Sequence, residues 1–170
     1  GRFSLNINDK KYDFRVSTMP TLESESIVLR ILDNKNIDKN LQTLGISSDL
    51  LDILTKALKL TQGLILISGP TGSGKTTTLY SILKELNSEE KKIITVEDPI
   101  EYKIDSICQI PINNKIGLSF EVVLKNILRQ DPDIIFIGEI RDKFSLDVAL
   151  QASLTGHLVI ASIHANSSVE

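Results

Sequence analysis

Eight consecutive residues have the types and spacing to grip a phosphate. Gly69, Pro70, Thr71, Gly72, Ser73, Gly74, Lys75 and Thr76 fit the pattern G-x-x-x-x-G-K-T. Glycines let successive backbone N–H groups turn inward around an anion, where a Cβ would obstruct the turn. A lysine placed like Lys75 reaches the β- and γ-phosphates, and a hydroxyl placed like that of Thr76 ligates Mg²⁺. Thr77, next in the chain, is grouped with the loop as a phosphate-binding candidate.

Such a loop needs acidic partners, and the chain offers two stations. The apolar run 133–139 ends in Gly138 and Glu139, where a carboxylate can hold Mg²⁺ through water. The run 95–101 places Glu97 and Asp98 after a second apolar stretch, and either can polarise an attacking water as general base. Two histidines, His157 and His164, flank the apolar run 158–163. An odd separation on one strand puts them on opposite faces, so they do not share a metal, and His164 falls at the carboxyl end, near a γ-phosphate. Arg15, Arg30, Arg129 and Arg141 each stand beside an apolar strand or an acidic motif, where a cation can offset developing charge.

These residues need elements to hold them. The glycine loop sits between the apolar run 64–67 and a helix-forming stretch over 77–86, the strand–loop–helix context that phosphate binding requires. Further strands are predicted over 92–96, 134–137 and 157–163, with helices over 48–58, 76–87, 119–130 and 144–155. The strands are apolar on both faces, which predicts a mainly parallel sheet covered by helices on each side. Strand ends beside the glycine loop then share the carboxyl edge, where α/β proteins bind ligands. Before this region, residues 3–16 alternate as a hairpin with one buried face, and 26–32 reads as another strand. The polar stretch 33–40 is the best linker candidate.

Composition narrows the function classes. A hydrophobic fraction of 41% and a charged fraction of 24% describe a chain with a real core. A net charge of −3, no Trp, three Tyr and five Phe offer little stacking surface or basic field to a RecA-like nucleic-acid motor. The single cysteine, Cys108, supports neither an internal disulfide nor a cysteine zinc site and reads as a small apolar filler near a strand. No apolar run approaches the ~20 residues needed to span a bilayer, and residues 1–8 lack the apolar core of a secretory signal. A first residue of Gly rather than Met suggests a piece of something longer.

Four motifs now stand in one order: residues 69–76, 94–102, 128–142 and 155–166. Together they resemble the secretion ATPase superfamily, the hexameric motors of type II secretion and type IV pilus assembly. There they are named the Walker A motif, Asp box, atypical Walker B and His box. The resemblance implies an α/β fold, a RecA-like P-loop NTPase core over 45–170 lacking its C-terminal part. Residues 1–33 would be the end of a small PAS-like β-rich domain and 34–44 a linker. It assigns Lys75 and Thr76 to phosphate and Mg²⁺, Glu97 to water activation, Glu139 to the Walker B role and His164 to the γ-phosphate, with His157 as its partner. Arg15 and Arg30 match arginines of the preceding domain that reach the nucleotide when the two domains close. The implied cofactors are ATP and Mg²⁺. The implied partners are five further copies in a hexamer, an inner-membrane platform and cytoplasmic recruitment proteins, with a cytoplasmic location at the membrane through those partners and no nucleic acid.

Residues 15–21 resemble the export and assembly branch, and a zinc-type Cys-x-x-Cys pair, where that branch has one, would lie beyond Glu170. A competing reading is a nucleotide-binding module that turns nothing over as this piece alone. The chain departs from the family's usual x-Glu-Thr at Lys143, Phe144 and Ser145, where a helix-capping or arginine-pairing carboxylate is missing. It departs again at Asn166, Ser167 and Ser168, usually Asn-Asp-Ala.

Overall fold

A computed structural model describes residues 1–8, 10–32 and 40–164, with the side chains of all but Arg2, Lys10, Lys11 and Leu32. The chain divides into two compact units, Gly1–Asp38 and Lys39–Glu170.

In the first unit a hairpin forms from β1 (Arg2–Ile7) and β2 (Lys10–Pro20), and β3 (Glu25–Leu32) pairs with β2. Its expected buried face is not buried: Phe3, Leu5 and Ile7 are exposed and Tyr12, Phe14 and Val16 only half-buried, because three strands alone offer no second layer to cover them. All pairing is antiparallel in the order β1-β2-β3. The cross-strand pair Phe3 and Phe14 stacks at 5.0 Å, the kind of contact that stabilises antiparallel strands. β2 runs on through Thr18 and Met19, beyond the alternating stretch, because β3 supplies it with backbone partners as far as Pro20. Residues 33–39 of the linker candidate lie outside the described residues. Leu41, just past it, belongs to the second unit and is 2% exposed.

The second unit contains α1 (Ser48–Ala57), β4 (Gly63–Ser68), α2 (Lys75–Leu86), β5 (Ile93–Glu97), β6 (Cys108–Pro111), α3 (Phe120–Ile127), β7 (Ile134–Ile140), α4 (Lys143–Leu154) and β8 (Leu158–Ile163). The sheet is parallel throughout, ordered β4-β8-β7-β5-β6. Period-two alternation sorts its side chains: Ile93, Ile134, Phe136, Leu158 and Ile160 pack with α2 on one face. Ile94, Val96, Ile135, Ile137, Val159 and Ala161 pack with α3 and α4 on the other. Each of these side chains larger than alanine contributes about 1.5–3 kcal/mol on burial, which outweighs every exposed ion pair described below. The four predicted strands and four predicted helices of this unit are present. β6 was not predicted: four residues with Gln109 inside and Pro111 at the end carry too little apolar pattern. Cys108 opens that strand and is exposed, so it is not a core filler.

α4 shows how the chain manages the departure at 143–145. Asp142 caps the helix, its Oδ1 accepting from the Ser145 N–H at 2.7 Å while the Ser145 hydroxyl faces back to the Asp142 backbone, a reciprocal capping box. The cap is therefore complete without a glutamate, and Phe144 packs into the core with the Lys125 ammonium 5.5 Å above its ring. The backbone and side-chain bonds from Ser145 hold the Asp142 carboxyl below the ordinary carboxylate range. A depressed value means the contribution is complete at neutral pH and is lost as pH falls through the folded value. Asp142→Ala is expected to lower the thermal midpoint at pH 7 and Asp142→Asn much less, because both Asp and Asn cap well. Thermal unfolding followed by circular dichroism checks this, and the gap between wild type and Asp142→Ala should narrow in strong acid, as the charge-dependent part of the cap is lost.

Candidate nucleotide site

In a parallel sheet all strands end at the same edge, and there the sequence motifs meet. The loop 69–74 leaves β4 and its last residue, Gly74, caps α2 in the left-handed region at φ 95°. Gly69 sits at φ 157°, a conformation that L side chains rarely adopt, and a Cβ there would lie 2.7 Å from Ser73 Oγ, so a side chain would be strained and would displace that hydroxyl. The Lys75 ammonium donates to the Gly69 and Pro70 carbonyls at 2.5 and 2.9 Å. It is thus folded over the loop, held by neutral acceptors that a phosphate oxygen outcompetes as a charge-assisted partner. α2 points its amino end, with its free N–H groups and positive dipole, toward the same space.

β8 lies between the loop strand β4 and the acidic strand β7. From its carboxyl end His164 reaches Thr71, Nε2 to Oγ1 at 3.2 Å. On β7 the register with β8 slips between Ile137 and Ile140, an extra residue of the kind that bends a strand and re-aims a side chain. Ser162 holds the slip by donating to the Gly138 carbonyl at 2.5 Å. Glu139 follows, its Oε2 accepting from Arg141 Nε at 2.6 Å, and Arg141 Nη1 also donates to Asp98 at 3.2 Å. The hydrogen bond to Glu139, more than the charge of Asp98, pushes the Arg141 guanidinium further up. The Arg141 side chain is 58% exposed, so these pairs contribute at most about 1 kcal/mol to folding. Their effect is to hold two carboxylates in place.

Glu97 differs in kind. It ends β5 and is 3% exposed. A buried carboxylate costs several kcal/mol unless donors surround it. Thr95 Oγ1 donates to its Oε1 at 2.6 Å, Gln109 Nε2 donates to the same oxygen at 3.2 Å, and the Tyr80 hydroxyl donates to Oε2. Gly138 gives it space: a Cβ there would lie 3.2 Å from the Val96 carbonyl oxygen and 3.6 Å from Glu97 Cγ. Gly138→Ala is therefore expected to destabilise the fold by about 1–3 kcal/mol, as overpacking does, with a lowered chemical-denaturation midpoint as the readout.

Lys75, Thr76, Thr77, Glu97, Glu139 and His164 line one cavity of about 410 Å³. Asp98, Arg141, Tyr80 and Ser162 line it too. His157 does not. It precedes β8 at the opposite edge of the sheet, its Nδ1 donating to the Ala152 carbonyl at 3.1 Å, and six strand residues at about 3.3 Å each separate it from His164. Arg129 likewise follows α3 and bonds Asn126 at 3.4 Å, outside the cavity. Arg15 and Arg30 belong to the first unit, where they are directly opposite in the β2–β3 register. Tyr80, Thr95, Gln109 and Ser162 went unpredicted. Their only signal is polarity inside apolar elements, which does not say what they bond.

A glycine loop between strand and helix, an acidic strand one position removed in a parallel sheet, and helices on both faces define a RecA-like P-loop NTPase core. A family model described as Type II/IV secretion system protein matches residues 1–170. The chain belongs to that family. It is 48% identical over 169 residues to the type II secretion system ATPase E of Vibrio cholerae, covering 99% of this chain and 34% of the relative. It is 49% identical over 168 residues to the type II secretion system protein E of Xanthomonas campestris, covering 99% of this chain and 30% of that protein. The chain thus spans about a third of the length of these relatives. The crystal structure of the pilus retraction motor PilT with bound ADP superposes with a TM-score of 0.81 at 32% identity, covering 99% of this chain and 48% of PilT. The Legionella pneumophila ATPase DotB gives 0.81 at 29% identity, covering 100% of this chain and 48% of DotB.

Proposed function

We propose that this chain is the nucleotide-binding part of an ATP-hydrolysing motor subunit that powers protein export or pilus assembly. The observation that carries the reading is the meeting of Lys75, Thr76, Glu97, Glu139 and His164 in one cavity at the carboxyl edge of the sheet. The ATPase and motor names of the relatives, and the ADP bound to PilT, support it. The secretion names of the relatives near half identity favour export over retraction.

Each residue then has a role. The Lys75 ammonium leaves the Gly69 and Pro70 carbonyls for the β- and γ-phosphate oxygens, while the loop N–H groups and the amino end of α2 hold the same charge. Thr76 and Glu139 offer hydroxyl and carboxylate oxygens. Among the described residues no cluster of three or more His, Cys, Asp or Glu side chains stands ready for a metal. That donor set suits Mg²⁺, a hard ion that takes one or two protein oxygens and fills its shell with phosphate and water. Mg²⁺, when bound, offsets phosphate charge. Glu97 takes the proton from the attacking water. It is preferred to Asp98, which is half-exposed and ion-paired with Arg141, whereas the partners of Glu97 are neutral donors. His164, tied to Thr71 on the loop, donates toward the γ-phosphate. Arg15 and Arg30, opposite each other on β2 and β3, add cations to the nucleotide in this proposal. His157 at the far sheet edge is left with a structural role.

Assembly as a hexamer, contact with an inner-membrane platform and a cytoplasmic location are part of the same proposal. Among the described residues no helix is long and apolar enough to cross a membrane. Phosphate release from ATP by the full-length protein, compared with this piece alone, tests it. Turnover by the assembled protein is expected, and turnover by neither form would leave only a nucleotide-binding module.

A further inference from the structure

The hydroxyl of Tyr80 sits where three parts of the site cross. Tyr80 lies on α2, five residues after Lys75, and is 3% exposed. Its oxygen accepts from the backbone N–H groups of Glu101 and Tyr102 at 3.3 and 3.4 Å. A phenol has one proton and two lone pairs. With both lone pairs facing N–H donors, the proton has one direction left, toward Glu97 Oε2. Burial, then the charge of Glu97, pushes the Tyr80 hydroxyl well above its ordinary value, which keeps its proton on the phenol oxygen. The ring is fixed as well, edge-on to Tyr102 at 5.4 Å and Phe136 at 6.4 Å. The other carboxylate oxygen, Oε1, is taken up by Thr95 and Gln109. Glu97 therefore has one oxygen spoken for by its own strand and its neighbour β6, and the other aimed by the helix that carries the phosphate lysine.

We infer that Tyr80 is a positioning residue for hydrolysis: its hydroxyl, oriented by the N–H groups of Glu101 and Tyr102, fixes Glu97 Oε2 against the water it activates and ties that carboxylate to the phosphate-binding helix. This rests on the reading of Glu97 as the base. A tyrosine whose ring alone packed α2 against the sheet would change neither turnover nor ATP binding on losing its hydroxyl, and one whose hydroxyl merely anchored α2 would lose ATP affinity through Lys75 along with turnover. One that aims Glu97 changes the chemical step alone.

The test is single-turnover and steady-state phosphate release by the full-length protein carrying Tyr80→Phe, Glu97→Gln or both, with ATP affinity and the thermal midpoint measured alongside. Phe keeps both ring contacts. Losing a hydrogen bond to a charged group lowers kcat about tenfold to a hundredfold, and KM for ATP is expected to stay at the wild-type value. In the Glu97→Gln background Tyr80→Phe should remove nothing further, because a residue that acts through another is not additive with it. Unchanged kcat in Tyr80→Phe, a matched rise in KM, or a multiplicative loss in the double variant overturns the inference while leaving the base in place. Full turnover by Glu97→Gln would instead remove the base itself, and the role of Tyr80 with it.

Discussion

Lys75→Ala should abolish both tight ATP binding and hydrolysis. The ammonium is the one side-chain cation the loop carries, and its partners here, the Gly69 and Pro70 carbonyls, are neutral and exchangeable. Removing it costs the fold little, since it spans the loop at the surface rather than filling the core. It removes the charge that faces the β- and γ-phosphates in the ground state and in the transition state. Loss of one preorganised donor to developing charge costs about a hundred- to a thousandfold in kcat, and loss of ground-state charge pairing weakens binding as well. Steady-state phosphate release and equilibrium binding of ATP check the two effects separately. Lys75→Arg should recover part of the binding and little of the rate, because a planar fork on a different stem cannot sit over the same two oxygens. Unaltered turnover in Lys75→Ala would exclude this loop as the site.

Glu97→Gln should separate chemistry from binding. The loop, Lys75 and Thr76 are untouched, so ATP still binds, while the group that accepts the proton is gone. General bases contribute about 10²–10⁴-fold, and kcat should fall within that range. A stability cost accompanies it. The glutamine amide keeps one oxygen for Thr95 but turns an NH₂ toward the Tyr80 hydroxyl, whose lone pairs already face two backbone N–H groups. A buried mismatch of this kind costs about 1–3 kcal/mol, visible as a lower denaturation midpoint. Glu97→Ala should be worse for folding than Glu97→Gln, because it leaves Thr95, Gln109 and Tyr80 all donating into a cavity. Equal rates for wild type and Glu97→Gln would transfer the base role elsewhere, with Asp98 the neighbour to examine first.

Much of this was legible beforehand because the chemistry of phosphate binding fixes both residue types and spacing. Gly69, Gly74, Lys75 and Thr76 announce a loop between strand and helix, and strands apolar on both faces announce a covered parallel sheet. Local pattern could not show what crosses the sheet. The extra residue between Ile137 and Ile140 that aims Glu139, the space Gly138 leaves beside Glu97 and the meeting of Tyr80 with Glu97 are all long-range contacts. The same limit explains His157. Seven residues from His164 in the chain, it lies at the other end of a strand, where proximity in sequence becomes distance in space. The missing carboxylate at 143–145 leaves the helix cap intact for a local reason, since Asp142 and Ser145 close it by themselves. β6 escaped because four residues ending in proline resemble a loop until a neighbouring strand pairs with them.

The central claim, that the cavity at the carboxyl edge of the sheet holds ATP, is tested most directly by backbone amide chemical shifts during titration with ATP and Mg²⁺. The amides of Gly69 through Thr76 are expected to move first and furthest, together with His164 at the end of β8, and Lys75→Ala to abolish these shifts. Saturable binding that leaves the 69–76 amides in place, or that survives Lys75→Ala unchanged, would contradict the claim.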